Sequence, residues 1–469
     1  MKEKTWVEDI NTGFYDFRFD EDEKDMFESG ITPQIIKEIS EEKGDTDWMR
    51  KFRLKSLEIY NNTEMVDWGP NIDGLDMSRI VTYIRPKTRM RTDWEDVPDD
   101  IKDTFERLGI PQAERESLAG VGAQYDSELV YHNVRKEVAE QGVVYTDLES
   151  AMHDPRYEYI IKSHFMKLVP PTDHKFAALH GAVWSGGSFV YVPKGVHVDI
   201  PLQSYFRLNA KGAGQFEHTL IIVDEGAYLH FIEGCSAPKY YVASLHAGCV
   251  ELYVRKNATL RYSTIENWSK NMYNLNTKRA IVEEGGKIEW VSGSFGSHVS
   301  YLYPMSILHG EGARAEFTGI TFAGEGQDLD TGTKVVHAAP NTSSYVTTRS
   351  ISKSGGVNTF RSSVQVNENA HGSKSSVSCE SLMLDSVSRS DTIPAMDIRT
   401  NQADVGHEAK IGRISDEVVF YLMSRGMTEE DAKALIVRGF ADNVSKELPL
   451  EYAVEMNNLI GIEMKGSIG

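Results

Sequence analysis

The chain has 469 residues, 40% hydrophobic and 26% charged, and its 70 Asp and Glu outnumber 50 Lys and Arg for a formal charge of −20. This length exceeds one compact domain, and the composition is that of a soluble globular protein. The acidic balance without a basic stripe argues against a nucleic-acid partner, and no run approaches 18 apolar residues, so no membrane span is expected.

The N-terminus, MKEKTWVEDINTG, has no apolar core of signal-peptide length. Cys235, Cys249 and Cys379 are too few and too scattered for a disulfide framework. A reducing cytoplasm is therefore the expected location.

Residues 1–140 read as a polar, helical N-terminal domain. Thr32-Pro33 predicts a capped helix through QIIKEISEEK, and WMRKFRLKSLEIY continues with helical spacing. VPDDIKDTFERLGIPQA predicts a third helix between Asp96 and Ala113, stopped at Gly109 and Pro111. LAGVGAQYDSELVYHNV reads as irregular, and a further helix is expected around Asp147 to Ser163. Gly120-Val121-Gly122 lacks the third glycine and the preceding strand of a dinucleotide fingerprint.

From about Phe176 the period changes to alternating β-branched and aromatic runs broken by Gly, Asn or Asp. No amphipathic helices separate these runs, which excludes a βαβ sheet. Turn-then-strand phrases recur at Ala227, Ala258, Lys287, Ala313 and Thr342, in steps of 31, 29, 26 and 29 residues. A period of roughly 30 predicts a coiling β-helix over a core domain at 141–407, with a β-sandwich as the competing reading.

Residues 408–469 return to helix. Ser415 caps ISDEVVFYLMSRG, Thr428 and Asp431 form a capping-box arrangement, and Leu448-Pro449 opens LEYAVEMNNLIGIEM. Val419, Leu422 and Met423, then Ala434, Leu435, Val437 and Phe440, form apolar faces. They suit packing on the β-helix or receiving a partner.

Three stretches offer chemistry. Cys235 in FIEGCSAPKYY sits at a strand end or turn near Lys239, and a nearby cation would favour its thiolate. Cys249 in AGCVELYV reads as core. Cys379 in SVSCESLML is followed after 28 and 29 residues by His407 and Glu408, about one coil later, which brings a thiolate, an imidazole and a carboxylate within reach of one final coil. Those are the side chains that bind iron, although Cys379 also has a core reading. No HExxH, CxxC, GxSxG or phosphate-loop motif is present.

Taken together, FIEGCSAP, YSTIENW, TKRA, DTGTKVVH, Cys379 and HEAKIGRISDE resemble the SufB/SufD family of the SUF iron–sulfur cluster assembly system. TFERLGIP, LAGVGAQYDSE and FAALHGAVWSGGSFVYVPKGV extend the likeness over nearly the whole chain, on the SufB side of the family. The resemblance implies a mainly β fold, a right-handed parallel β-helix core flanked by N-terminal and C-terminal helical domains. It also implies a non-enzymatic scaffold on which a transient [2Fe–2S] or [4Fe–4S] cluster is built, with reduced flavin a participant in some relatives.

The partners it implies are the SufC ATPase on the C-terminal helices (about Ile414 to Asn443), SufD or a second SufB beside the β-helix, a cysteine desulfurase with its sulfur carrier, and apo iron–sulfur proteins. By that likeness Cys235 accepts sulfane sulfur. Arg207, Asn209, Glu233, His246, Thr264 and Lys278 match the sulfur path, and Cys379 and Glu408, with His407 adjoining, match the cluster position. Two departures stand out: Gly406 replaces a Glu that many members carry before the His-Glu pair, and no cysteine precedes Cys235.

Two other classes compete. A structural SufD-like subunit would have no metal role, and a carbohydrate-active β-helix enzyme would need paired acids in an outer groove, for which only Glu283-Glu284 and Asp328 to Asp330 are available.

Overall fold

The unit of construction is a coil of about thirty residues whose turn is set by one residue. The computed structural model describes residues 26–85, 90–107, 118–239, 241–448 and 450–465. Gly195, Gly226, Asn257, Gly285, Gly312, Asn341 and Gly372 each have positive φ at the same point of successive coils. That conformation costs glycine little and is tolerated by Asn, which explains the recurring Gly and Asn of the turn phrases.

Between the turns, strands stack in parallel into a β-solenoid of about eight turns. In one sheet Tyr228–Ser236, Thr259–Asn267, Lys287–Phe295, Arg314–Ala323, Ser343–Ser352, Lys374–Met383 and Asp404–Arg413 pair consecutively without a register slip. Parallel pairing throughout this run excludes the sandwich, whose sheets are antiparallel.

Unbroken register places like positions of successive coils in columns, and alternation sends every second column inward. One inner column runs Leu202, Phe231, Tyr262, Trp290, Phe317, Val346, Val377 and ends at His407. Phe231 stacks on Tyr262 at 5.7 Å between ring centroids, and Tyr262 meets Trp290 edge-on at 5.6 Å. Large rings dominate the energetics of such a core. The next inner column is different: Ser204, Glu233, Thr264, Ser292, Gly319, Thr348, Cys379, Ala409.

The two ends of the solenoid are unlike. At the N-terminal end, strands Gly120–Tyr125 and Glu128–Val134 form an antiparallel hairpin on the edge of one sheet, and Val144–Asp147 closes the other by antiparallel pairing with Ser188–Val192. At the C-terminal end, Arg389–Ile398 and Asp404–Arg413 each have one strand neighbour among the described residues. Their side chains are mostly exposed, including Ile393, Met396, Ile398 and Ile411.

Helices Asp416–Met423, Glu429–Ser445 and Leu450–Lys465 fold back over the sheet, and the Ser415 and Thr428 side chains cap the first two. Val437, Ala441 and Ile460 cluster there with the outward-facing Ile232, Ile265, Val291 and Ile320. Part of the expected apolar face is thereby used. Val418, Phe420, Tyr421, Met423 and Leu435 stay exposed.

The N-terminal helices Pro33–Glu42 and Asp47–Asn62 follow their sequence signals, with the Thr32 side chain capping the first. The stretch expected to be irregular is the hairpin Gly120–Val134, turned at Asp126 with positive φ. Residues before 140 thus already belong to the sheet, and the last strand runs past residue 407 to Arg413. The helix expected at Asp147–Ser163 is two helices, Leu148–His153 and Glu158–His164.

Asp99–Arg107 is helical; its expected stop at Gly109 and Pro111 lies outside the described residues. Where strand was expected from Phe176, Lys175–Val183 is a helix. Every residue from Phe176 to Val183 is buried, so the helix carries no amphipathic stripe to betray it.

Candidate functional site

Cys235 lies one residue from the end of its strand and is 1% exposed. Phe206, Leu208, Trp268, Met272 and Ile84 pack around it, the last from the segment ahead of the solenoid. Burial drives its thiol well above the ordinary range, and the charges of Glu233, Glu266 and Glu217 push the same way against Lys278. Lys278 is thus a cation that favours the thiolate.

That cation is firmly held. Lys278 Nζ donates to Glu233 Oε1 at 2.8 Å, to Thr264 Oγ1 at 3.1 Å and to Glu266 Oε1 at 3.4 Å, and all of these side chains are buried. Burial alone would lower its pKa, but the two carboxylates more than reverse this and raise it. Tyr262 donates to the other Glu233 oxygen. His246 bridges Glu217 Oε1 at 2.6 Å and Asn274 Oδ1 at 2.7 Å, and Asn274 donates on to Glu266 at 2.7 Å. Burial opposes a charge on His246, yet Glu217 prevails and the imidazole keeps its proton above its usual range.

Arg207 and Asn209 stand beside this network. Arg207 donates to Ser236 Oγ at 3.1 Å, and the backbone N–H of Asn209 donates to Asp126 Oδ1 at 2.6 Å. All six residues matched to the sulfur path are buried near Cys235.

The polar column then leads away from Cys235. Starting at Glu233, two residues before it, the column passes Thr264, Ser292, Gly319 and Thr348 and arrives at Cys379. Five strand steps separate the two cysteine-bearing strands, about 24 Å at the usual spacing. Between them is an interior cavity of about 40 Å³, lined along this path by Glu266, Lys278, Ser292, Ser294, Gly319 and Thr348. It has room for about two or three water-sized species. Ser294 Oγ and Asn358 Oδ1 line it as buried polar atoms without a hydrogen-bond partner.

At the far end Cys379 points inward, 2% exposed, covered only by the last coil. Its Sγ is 3.4 Å from His407 Nε2 and 3.7 Å from Thr392 Oγ1. Burial raises the thiol pKa, opposed by the Thr392 hydrogen bond. The one-coil spacing thus brings Cys379 and His407 together.

Glu408 is placed otherwise. Its residue pairs with Ser378, so alternation sends its carboxylate to the outer face, where Lys410 Nζ meets it at 3.1 Å. Gly406, paired with the outward Ser376, occupies the same outer face with open space around it. A glutamate there would extend the outer acidic surface, not the inner thiol–imidazole pair.

Ser292, Ser294, Gly319, Thr348 and Asn358 escaped sequence reasoning because each is an ordinary strand residue alone. The usable signal was the thirty-residue period combined with strand parity, counted back from Cys379. Three of the acids suggested for carbohydrate chemistry are ion-paired: Glu283 with Arg255 at 2.6 Å, Glu284 with Lys256 at 2.9 Å and Asp330 with Arg361 at 2.7 Å.

Comparison with known proteins points to one family. Residues 206–440 match the family described as "SUF system FeS cluster assembly, SufBD core domain". The iron-sulfur cluster assembly protein SufB of Bacillus subtilis (strain 168) is 50% identical over 459 residues, covering 97% of this chain and 98% of that protein. An iron-sulfur cluster assembly SufBD family protein of Staphylococcus aureus (strain MRSA252) is 49% identical over 461 residues, 98% of this chain and 99% of its own.

Proposed function

Because the chain belongs to the SufB/SufD family of iron–sulfur cluster assembly proteins, we propose that it is the scaffold on which sulfur received at Cys235 is carried through the solenoid to Cys379 and joined there to iron. The observation that carries this reading is the inward column from Glu233 through Thr264, Ser292, Gly319 and Thr348 to Cys379, with the polar Glu266 and Ser294 beside it and a cavity along it. Buried polar atoms left unpaired are costly, and a passing polar sulfur species gives Ser294 and Asn358 a partner.

Loading is a sulfane transfer. The Cys235 thiolate attacks the terminal sulfur of a donor persulfide, a new S–S bond forms, and the donor sulfur leaves as a thiolate with no net oxidation. Lys278 supplies the charge that steadies the Cys235 anion. The solenoid wall shields the terminal sulfur, which is readily oxidised. Since Cys235 is sealed, delivery by a cysteine desulfurase and its carrier requires the Ile84-side cover to open.

At the other end Cys379 and His407 receive iron and sulfur as cargo, the sulfane sulfur becoming sulfide by taking two electrons from an external reductant, reduced flavin or excess thiol, with a cysteine thiolate left behind. One thiolate and one imidazole hold a cluster less firmly than four thiolates, which suits transfer to apo-proteins. Glu408 lies on the outer face of the last strand, beside the bare edge where SufD or a second copy of this chain adds its own strands. The exposed Val418, Phe420 and Tyr421 offer the SufC ATPase its contact, and nucleotide-driven movement there reaches the last coil through Ile414. The reading makes the chain a cytoplasmic, non-enzymatic scaffold.

The test is anaerobic incubation with iron, cysteine and a desulfurase. Cluster absorbance is expected in the wild type and absent in Cys379→Ala, which still gains a persulfide on Cys235. Cys235→Ala should lose both. Equal absorbance in all three proteins would overturn the reading, and no absorbance in any would favour a purely structural subunit.

A further inference from the structure

The third cysteine lies where the N-terminal helices meet the first coils. His180 comes from helix Lys175–Val183, His218 from strand His218–Val223 and Cys249 from strand Cys249–Val254. All three are at most 1% exposed, and one ligand atom from each lies within 4.8 Å of the others.

Each imidazole is gripped from behind. His180 Nδ1 is 2.9 Å from the Ala247 carbonyl, which can only accept, so Nδ1 carries the proton and Nε2 presents a lone pair. His218 Nε2 is 3.1 Å from Glu251 Oε2. Glu251 also accepts the backbone N–H groups of Met166 at 2.5 Å, Leu168 at 2.6 Å and Val169 at 2.9 Å. With three backbone N–H groups donating to it, Glu251 acts as an acceptor toward the ring, so His218 donates from Nε2 and presents its Nδ1 lone pair.

The two lone pairs, His180 Nε2 and His218 Nδ1, then face each other at 3.0 Å. Two acceptors at this distance repel unless a cation serves both. Three hydrogen-bonded links join Ala247, His180, His218 and Glu251, and two neutral imidazoles supply protons for only two of them.

We propose that this cluster is a binding site for a divalent, borderline-soft metal ion, Zn²⁺ or Fe²⁺, held by His180 Nε2, His218 Nδ1 and Cys249 Sγ. Metal–nitrogen bonds of about 2.0–2.1 Å at a tetrahedral centre set two nitrogens about 3.3 Å apart, close to the present separation. Two imidazoles and one thiolate are donors that suit these ions. The partners behind the rings are those that orient metal-bound histidines, a backbone carbonyl for one and a carboxylate for the other.

The charges also close. A dication, the Cys249 thiolate and the Glu251 carboxylate sum to zero in a region that water does not reach. The ion would fasten helix Lys175–Val183 to the first coils and enter as the chain folds. None of this depends on the route proposed for sulfur.

The experiment uses the full chain carrying Cys379→Ala, so that the other thiol–imidazole pair is silent. It is produced with zinc, iron or cobalt in turn, washed with chelator, and read by elemental analysis and X-ray absorption. About one equivalent of zinc or iron is expected, the analysis showing which, with one sulfur near 2.3 Å and two nitrogens near 2.0 Å around it. The cobalt-loaded chain should show a thiolate-to-metal charge-transfer band. Adding Cys249→Ser should remove that band and cut retained metal at least tenfold. A folded Cys379→Ala chain that retains no metal, or one whose metal has no sulfur neighbour, would overturn the proposal and leave a shared proton between the two rings. The absorption measurement decides even if the Cys249 variant does not fold.

Discussion

Cys235 and Cys379 sit in the same solenoid, on strands five steps apart, yet their settings are opposites. Around Cys235 three carboxylates, a lysine and a histidine are locked in buried hydrogen bonds. Around Cys379 there are a histidine, a threonine and then a single bare coil. The first setting is sealed and dense with its own hydrogen bonds; the second is thinly covered, by a single coil. An interior that must hold a reactive sulfur needs fixed charge, whereas a site that must release its product needs few bonds of its own.

The sharpest way to break this contrast is to remove the fixed cation. Lys278→Met leaves Glu233 and Glu266 buried without compensation, and removing one partner of a buried pair typically costs about 3–5 kcal/mol. Thermal unfolding should shift accordingly, and sulfur loading at Cys235 should fall with it. Unchanged melting would show that the carboxylates take up protons instead.

Next in size is a plug between the two cysteines. A Cβ at Gly319 already meets the Phe317 ring at 2.7 Å, so Gly319→Leu must crowd the column. Overpacking of this kind costs about 1–3 kcal/mol. Persulfide on Cys235, read by mass spectrometry, should be retained while cluster formation drops by about tenfold or more, a loss of about 1.4 kcal/mol or more in passage. Equal cluster yield would mean that sulfur does not travel this way.

A pH series probes the sealed end alone. Because His246 holds its proton above its unfolded value of about 6.5, its contribution to stability is complete below that pH. The contribution fades as the pH rises through the folded value. His246→Gln should flatten the decline in stability above neutral pH, measured by denaturant unfolding.

The smallest effect belongs to Glu408→Gln. Its carboxylate meets only the exposed Lys410 on the outer face, so the isolated chain should melt unchanged. A deficit should emerge only once a partner covers the final coil, as weaker association in sedimentation. Loss of stability in the chain alone would mean that the carboxylate turns inward.

Much of this was readable in the residues. The Gly and Asn turn phrases set the coil length, and the 28-residue step from Cys379 to His407 proved to be one coil. Parity was harder to see: a step of 29 leads to Glu408 and flips the side chain through the sheet, so adjacent His407 and Glu408 serve opposite faces. Helix Lys175–Val183 was invisible because burial on all sides erases periodicity. Cys249 read as core, His180 and His218 carried no motif of their own, and only the winding of the chain reveals that the three meet.

The antiparallel hairpin Gly120–Val134 has a further consequence. It blunts one end of the stack, while the strands Arg389–Ile398 and Asp404–Arg413 leave the other end adhesive. A rod with two adhesive ends would elongate into fibres, as cross-β stacks do. With one end stoppered, the pairing proposed above would stop at two solenoids rather than run on, and its meeting plane would fall beside Cys379.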